Sequence, residues 1–284
     1  MKLIVSAPPH IHKNISISRI MYTVVLALVP TLCWAVYLFG LPVLYIVIIS
    51  CVSAIATEAL AQIIMKRKIT ALDGSALLTG LLLAFILPPN SPFWLPVIGS
   101  VFAILIVKQV FGGLGCNLIN PALAGRALLV ILAPKIMSNT PIIGNILLDT
   151  KCISEVAVLL IGGLFLIKIK YIDWRIPLAY IGTVGILTEV FYLLGITKIN
   201  GLFHILVGGL VLGAFFMATD YVTSPITRKG RCIFGIGCGI ITAILRIWLP
   251  FLDGMCYAIL VMNCLVPLID RMSICRSDAV HHSK

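Results

Sequence analysis

Charge is what this sequence has least of: of 284 residues, 11% are Asp, Glu, Lys or Arg, against 61% that are hydrophobic. A soluble domain carries roughly a quarter charged residues, and so few could not cover the surface of a soluble fold this size. Acids are scarcest, at 10 against 21 Lys and Arg. No CxxC pair occurs among the nine cysteines, at 33, 51, 116, 152, 232, 238, 256, 264 and 275. That spacing points to neither an iron–sulfur site nor a disulfide framework; most of the cysteines sit in apolar runs and read as small packing residues. No cleavable leader is expected, because Met1 to Arg19 is polar and basic and the first apolar run, Ile20 to Phe39, is longer than a signal core.

What is present is a succession of long apolar runs, with a mean hydropathy of +1.14. About 18 such residues in a helix cross a hydrocarbon core of about 30 Å. The runs and their breakers predict an all-α polytopic membrane protein with ten spans, near 20–39, 43–64, 74–88, 94–110, 118–134, 153–169, 176–194, 202–218, 232–249 and 254–269. Pro88-Pro89 and Pro121 interrupt the third and fifth. The net charge of +11 does not point to nucleic acid, because the cations lie scattered between apolar runs, as in Lys66-Arg67-Lys68 and Arg228-Lys229-Gly230-Arg231.

Those cations set the orientation. With a cytoplasmic N-terminus, sixteen fall inside (Lys2, Lys13, Arg19, Lys66, Arg67, Lys68, Lys108, Lys168, Lys170, Arg175, Arg228, Lys229, Arg231, Arg271, Arg276 and Lys284). Four (Lys135, Lys151, Lys198 and Arg246) fall outside. Positive residues favour the cytoplasm, so both termini are expected there. The expected organisation is a cytoplasmic arm (1–19), one transmembrane domain (20–271) with an outer loop at 135–152, and a cytoplasmic tail (272–284). An internal echo supports a 5+5 inverted repeat. Gly80 to Phe85 followed by Ser91-Pro92 resembles Gly209 to Phe215 followed by Ser224-Pro225, five spans later.

Three segments carry candidate chemistry. Phe111 to Ala122 holds Gly112, Gly113 and Gly115, then Asn117 and Asn120 before Pro121. Such irregular backbone survives at membrane depth when buried in protein or lining a cavity. It suits either a tight turn between helices or the polar edge of a flat conjugated ring. Met217 to Thr227, with Asp220, Thr223 and Ser224, leads into the cations Arg228, Lys229 and Arg231. This reads as a capped loop, or as a surface for a flavin or a soluble redox partner. Lys135 to Ile142, with Ser138, Asn139 and Thr140 before Pro141, is by itself an outer turn.

Taken in order, these segments resemble the RnfD family, the D subunits of the Rnf electron-transport complex, related to the B subunit of the sodium-translocating NADH:quinone oxidoreductase. So do Ser154 to Gly163, Trp174 to Leu178 and the ending Tyr257 to Asn263, Leu265 to Arg271. The resemblance implies a redox subunit of a complex that couples electron flow between ferredoxin and NAD to Na⁺ or H⁺ movement, with the other Rnf subunits as partners. It also implies FMN, attached by a flavin transferase through a phosphoester to a threonine. The matching position is Thr140, flanked by Ser138 and by Asn139 where the family usually has alanine. Thr150, after Asp149, is the fallback. A second, non-covalent flavin (riboflavin) is expected near Gly112 to Asn120 and Asp220 to Thr227.

Glu58 and Glu189 fall inside spans two and seven, where an ionisable group is either functional or hydrogen-bonded within the bundle. Asp73, Lys108 and Arg126 are expected at the inner boundary, snorkelling or paired. His10, His12 and His281-His282 are too sparse to indicate a metal. The rival reading is a solute transporter or channel, which ten spans, a repeat and buried acids would also suit.

Overall fold

A computed structural model describes residues 16–137, 150–207, 209–248 and 254–281, in which every regular element is a helix. Helix α1 (Ile17–Phe39) starts at Ser16, whose hydroxyl accepts the Arg19 N–H at 3.2 Å, and hands over at Gly40 to α2 (Leu41–Ile64). There follow α3 (Ser75–Phe85), α4 (Trp94–Val101, continuing in π winding over Phe102–Gln109), α5 (Pro121–Leu132) and the short turn α6 (Pro134–Met137). The second half runs through α7 (Thr150–Lys168), α8 (Arg175–Leu193), α9 (Gly201–Leu206), α10 (Leu210–Leu212, continuing in π winding over Gly213–Met217), α11 (Arg228–Trp248) and α12 (Gly254–His281). Among the described residues, five stretches are long and apolar enough to cross a bilayer unaided: α1, α2, α8, α11 and Gly254–Ser273 of α12.

All ten expected spans have a helical counterpart, but the third and eighth are not continuous. At about 1.5 Å per residue, the 11-residue α3 reaches roughly 17 Å, about half of a hydrocarbon core. Pro88 and Pro89 forbid its continuation, and Ile86 to Pro88 stay buried, so this irregular backbone is shielded by protein. The eighth span breaks between α9 and α10, and Gly209 restarts it with φ 66°. Pro121 proves to be a start signal, since it is the first residue of α5 and Asn120 caps it, accepting from Ala122 N (3.0 Å) and Leu123 N (3.3 Å). The expected fifth span therefore begins three residues late.

Packing repeats between the halves. In the first, α2 packs on α3 and on α4, and α4 packs on α5; in the second, α8 packs on α9 and on α11, and α11 packs on α12. The halves meet through α1 with α7 and α5 with α12, the pairs that a two-fold axis would bring together. Close approach relies on small residues. A Cβ on Gly80 would lie 2.8 Å from both the Cys51 Cα and the Ser50 carbonyl oxygen, so α3 touches the backbone of α2 there. The Ser50 hydroxyl donates to Gly80 O at 2.8 Å and shares a 3.0 Å hydrogen bond with Ser100 of α4, joining three helices.

Candidate functional site

The π winding at the end of α4 shapes the most polar part of the interior. The Val110 N–H bonds to Leu105 O (3.0 Å) and the Gly113 N–H to Lys108 O (2.9 Å), each five residues back. The widened turn directs Lys108 and Gln109 toward α2; such bulges often mark functional positions. Lys108 does not snorkel. It is 1% exposed, with Nζ 2.7 Å from Glu58 Oε1, 2.8 Å from Glu58 Oε2 and 2.6 Å from Ser75 Oγ. Glu58, at 0% exposure, also accepts from Gln109 Nε2 (2.9 Å) and Gln62 Nε2 (3.3 Å). Asp73 closes the chain by accepting from the Ser75 hydroxyl (2.5 Å) and the Ser75 N–H (2.8 Å). The expectation of pairing holds for Lys108, but at a buried position on a helix. Arg126, too, is buried within α5.

Beside this network lies a cavity of about 50 Å³, and it brings together the two segments that the sequence marks as candidates. Asn117 and Asn120 come from the glycine-rich loop, Asp220 and Val222 from the loop after the eighth span, and Ser75, Thr79 and Lys108 from α3 and α4. Gly112, Gly113 and Gly115 have φ of 125°, 97° and 94°, which only glycine adopts without strain; they turn the chain from α4 toward α5 and do not themselves line the cavity. Asp220, half-buried, accepts from the Thr223 hydroxyl at 3.3 Å and from the N–H groups of Tyr221 and Val222. Ser224 does not line the cavity either.

Three residues that sequence reasoning passed over hold these loops in place. With its amide turned so that oxygen meets a donor and nitrogen meets acceptors, Asn263 of α12, 1% exposed, donates to Thr223 O (3.1 Å) and Ile259 O (3.3 Å) and accepts from Asn120 N (3.0 Å). It thus ties both candidate loops, one from each half, to α12. Asp270 accepts from Ile226 N at 3.0 Å. Asp173, between α7 and α8, accepts from Arg231 Nη1 (2.7 Å), Arg175 Nη1 (2.9 Å) and Arg175 N (3.0 Å). Partial burial works against its ionisation, yet these hydrogen bonds and the two guanidinium charges hold its carboxyl below the usual range. Asn263 and Asp270 lie in the C-terminal motif, where only their conspicuous polarity in an apolar run could have flagged them.

Glu189 has an ordinary task. It is half-buried and accepts the Gly201 N–H at 2.7 Å, capping the start of α9. Ser138, Asn139 and Thr140, with His10, His12 and His282, lie outside the described residues, and of Thr150 only the backbone, which opens α7, is described.

The fold and site define a class: an all-α polytopic membrane protein of two similarly packed halves, each with an interrupted third span, and a buried ion pair in the first. The chain belongs to the NQR2, RnfD, RnfE family, which it matches over residues 4–277. It is 44% identical to the D subunit of the Na(+)-translocating ferredoxin:NAD(+) oxidoreductase complex of Acetobacterium woodii, covering 96% of this chain and 94% of the relative. It is 40% identical to the D subunit of the proton-translocating ferredoxin:NAD(+) oxidoreductase complex of Clostridium ljungdahlii, with 95% and 94% covered. Against the D subunit of the ion-translocating oxidoreductase complex of Methanosarcina acetivorans the identity is 38%, with 94% and 93% covered.

Proposed function

We propose that this chain is the D subunit of an ion-translocating ferredoxin:NAD oxidoreductase (Rnf) complex in the cytoplasmic membrane. In this reading it relays electrons through FMN esterified to Thr140, and the other Rnf subunits are its partners. The observation that carries the subunit assignment is its 38 to 44% identity, over nearly the full length of both chains, to proteins named as D subunits of such complexes. The 44% relative is named for Na⁺ and the 40% relative for protons, so such D subunits serve complexes of both kinds.

Thr140 rests on the Ser138-Asn139-Thr140-Pro141 match and on the count of positive charges, which assigns its loop to the outer face. A flavin transferase would act there. A phosphoester fixes the flavin without using its redox edge, and the protein tunes the potential through nearby hydrogen bonds and charge.

For a second, non-covalent flavin, the cavity offers a fitting set of polar groups. Asn117, which lines the cavity, has its Oδ1 buried with no hydrogen-bond partner among the described residues, so it is an acceptor that a ring N–H could satisfy. Asn120 and Thr79 line the same cavity. The volume of about 50 Å³ holds a few waters, against roughly 300 Å³ or more for a small-ligand pocket, so the lining must move to admit a ring.

A visible spectrum of the purified protein tests the assignment, with flavin absorption expected near roughly 450 nm. Mass spectrometry of the Thr140 peptide should show the riboflavin phosphate adduct, and Thr140→Ala should insert into the membrane without it. In-gel flavin fluorescence persisting in Thr140→Ala would remove Thr140 as the attachment point. The broken third and eighth spans also suit a solute transporter; a colourless protein that moves a solute in vesicles would favour that reading.

A further inference from the structure

We propose that α8 and α11 together hold one anionic diacyl phospholipid, with its phosphodiester on Arg175, Lys229 and Arg231 and an acyl chain in the groove between the two helices. The inference does not depend on the redox reading. It rests on the packing of these helices and on the bilayer that their length and apolar composition require.

The groove follows from helical phase. Contacts pair Asp173 with Arg231, Ile176 and Ala179 with Gly235, and Thr183 with Gly239, rising together along both chains, so α8 and α11 run parallel. The packing is close: a Cβ on Gly235 would lie 2.8 Å from Ile176 O, and one on Gly239 would lie 2.5 Å from the Thr183 Cβ. Successive helical residues are turned by about 100°. In parallel neighbours, the residue after a contact on one helix and the residue before it on the other therefore share a side. After Gly235 and Gly239 come Ile236 and Ile240, both exposed. Before Ala179 and Thr183 come Leu178, also exposed, and Gly182, where a Cβ would meet nothing within 4 Å. The opposite side of the contact holds Tyr180, Phe234 and Cys238, all fully buried. The exposed side is thus an apolar groove open to the hydrocarbon, with a gap at Gly182 between the exposed Leu178 and Ile186.

The mouth of this groove is cationic. Asp173 accepts from Nη1 of Arg175 at 2.9 Å and from Nη1 of Arg231 at 2.7 Å, clamping the two helix starts together. Arg231 also spends Nε on Pro225 O, while Lys229 is exposed and has no partner among the described residues. One carboxylate therefore faces three cations. Both guanidinium groups are partly exposed and keep N–H donors to spare, in a fork that suits a phosphate. Helix α11 opens with Arg228, Lys229 and Arg231 and no acid in its first turn, the end at which a helix disfavours cations; a phosphodiester there relieves the crowding. Lys229 precedes Ile233 by one turn and Ile236 by two, so it heads the exposed face. The Arg175 guanidinium lies 5.4 Å from the ring centroid of Trp174, itself exposed, and tryptophans so placed settle at headgroup level. A soluble acidic partner would be served by the cations alone. The apolar groove that continues from them into the bilayer is what selects a lipid.

Native mass spectrometry of the intact complex in a non-ionic detergent reads the lipid retained, and the difference between variant and unmutated complexes isolates this site from lipid held elsewhere. At this site dioleoyl phosphatidylglycerol should bind about tenfold more tightly than zwitterionic dioleoyl phosphatidylcholine. Each cation beside an anionic headgroup contributes a factor of about five. Lys229→Gln should therefore weaken phosphatidylglycerol binding about fivefold, and Arg175→Gln combined with it about twenty-five-fold. Gly182→Leu leaves every charge in place and puts its side chain into open space, so the groove should be filled and the lipid lost. Glycerol 3-phosphate, the headgroup chemistry without chains, should not compete. Equal affinity for the two lipids, or unchanged binding in both Gly182→Leu and Lys229→Gln, would mark the cations as determinants of topology alone and overturn the proposal. Competition by glycerol 3-phosphate at the lipid's own concentration would assign the cations to free phosphate, and displacement of the lipid by polyglutamate would assign them to a soluble acidic partner; either result overturns it too. Should the Arg175 variant fail to fold, Lys229→Gln and Gly182→Leu still decide the matter, because neither removes a contact that the fold uses.

Discussion

Removing Lys108 and then its partner gives a stability cycle whose outcome the geometry fixes in sign. Lys108→Met keeps much of the side chain's length but leaves the fully buried Glu58 with two amide donors, Gln109 Nε2 at 2.9 Å and Gln62 Nε2 at 3.3 Å. Breaking one side of a buried pair costs about 3–5 kcal/mol. The variant can escape by taking up a proton. From an ordinary glutamate value of about 4.3 that uptake costs about 4 kcal/mol at pH 7 and about 1 kcal/mol at pH 5, so the destabilisation should shrink as pH falls. Glu58→Gln leaves the ammonium buried, with Ser75 and an amide oxygen in place of a carboxylate, and no easy escape on the acid side. The double variant buries no net charge and should recover to within about 2 kcal/mol of the starting protein, since neutral replacement of a buried pair is often nearly free. Reversible unfolding in bicelles, followed at pH 5 and pH 7, measures all four corners. Single variants that each cost under about 1 kcal/mol, or a double variant no more stable than either single, would refute the claim that these charges depend on one another.

Three further outcomes follow from other parts of the structure. Gly80→Ala places a methyl 2.8 Å from the backbone of Cys51 and Ser50, where nothing flexible can give way; a loss of about 1–3 kcal/mol is expected in the same unfolding assay. Arg246 donates through Nη1 to His204 O and through Nη2 to Val207 O at 3.1 Å, satisfying carbonyls where α9 stops inside the eighth span. Arg246→Lys cannot span both, and a cost of about 1–3 kcal/mol for the carbonyl left bare should appear as a lowered midpoint temperature. For Asp173, whose carboxyl is held below its ordinary value, the native ion pairs favour the charged form. Its contribution is thus complete above the unfolded value near roughly 4 and lost as pH falls through the lower folded one. Because the pairs are partly exposed, Asp173→Asn should cost about 0.2–1 kcal/mol at pH 7 and approach zero difference near pH 3; an equal gap at both pH values would show that charge is not the cause.

Periodicity and composition made the ten-segment plan legible because bilayer thickness imposes a length that apolar runs must meet. They failed at α3 and at the α9–α10 break for the converse reason. A half-length helix buried against other helices is as apolar as a spanning one, and hydropathy does not register which face meets protein. Pro121 was visible, but proline reads as a breaker or as a first residue depending on whether a capping side chain precedes it, and Asn120 is that cap. The two candidate loops were recognised from irregular, polar backbone, and the fold brings Asn117, Asn120 and Asp220 to one cavity. What no local pattern could show was the partner of Glu58. Lys108 lies 50 residues away, and its orientation depends on the π winding, which leaves no sequence signature of its own. Asn263 was hidden for the same reason, since its three partners come from two loops and its own helix.

The two halves treat their glutamates differently, and that difference localises the chemistry. Each half has a glutamate late in its second long helix, next to the first residue of the helix that follows: Glu58 beside Ser75 of α3, and Glu189 beside Gly201 of α9. In the second half the carboxylate accepts a backbone N–H and stays half-buried, within reach of water, so helix capping accounts for it fully. In the first half the carboxylate is sealed from water and faces an ammonium that is itself sealed, at 0% and 1% exposure. Capping does not require a buried lysine, and stability does not favour one, because an apolar pair of equal volume would serve as well or better. The charge pair thus sets the first half apart from the second, where helix capping alone accounts for the glutamate. Neutralising Glu189 should therefore weaken the start of α9 while leaving ion coupling intact, whereas neutralising Glu58 should uncouple ion movement from electron transfer in reconstituted vesicles.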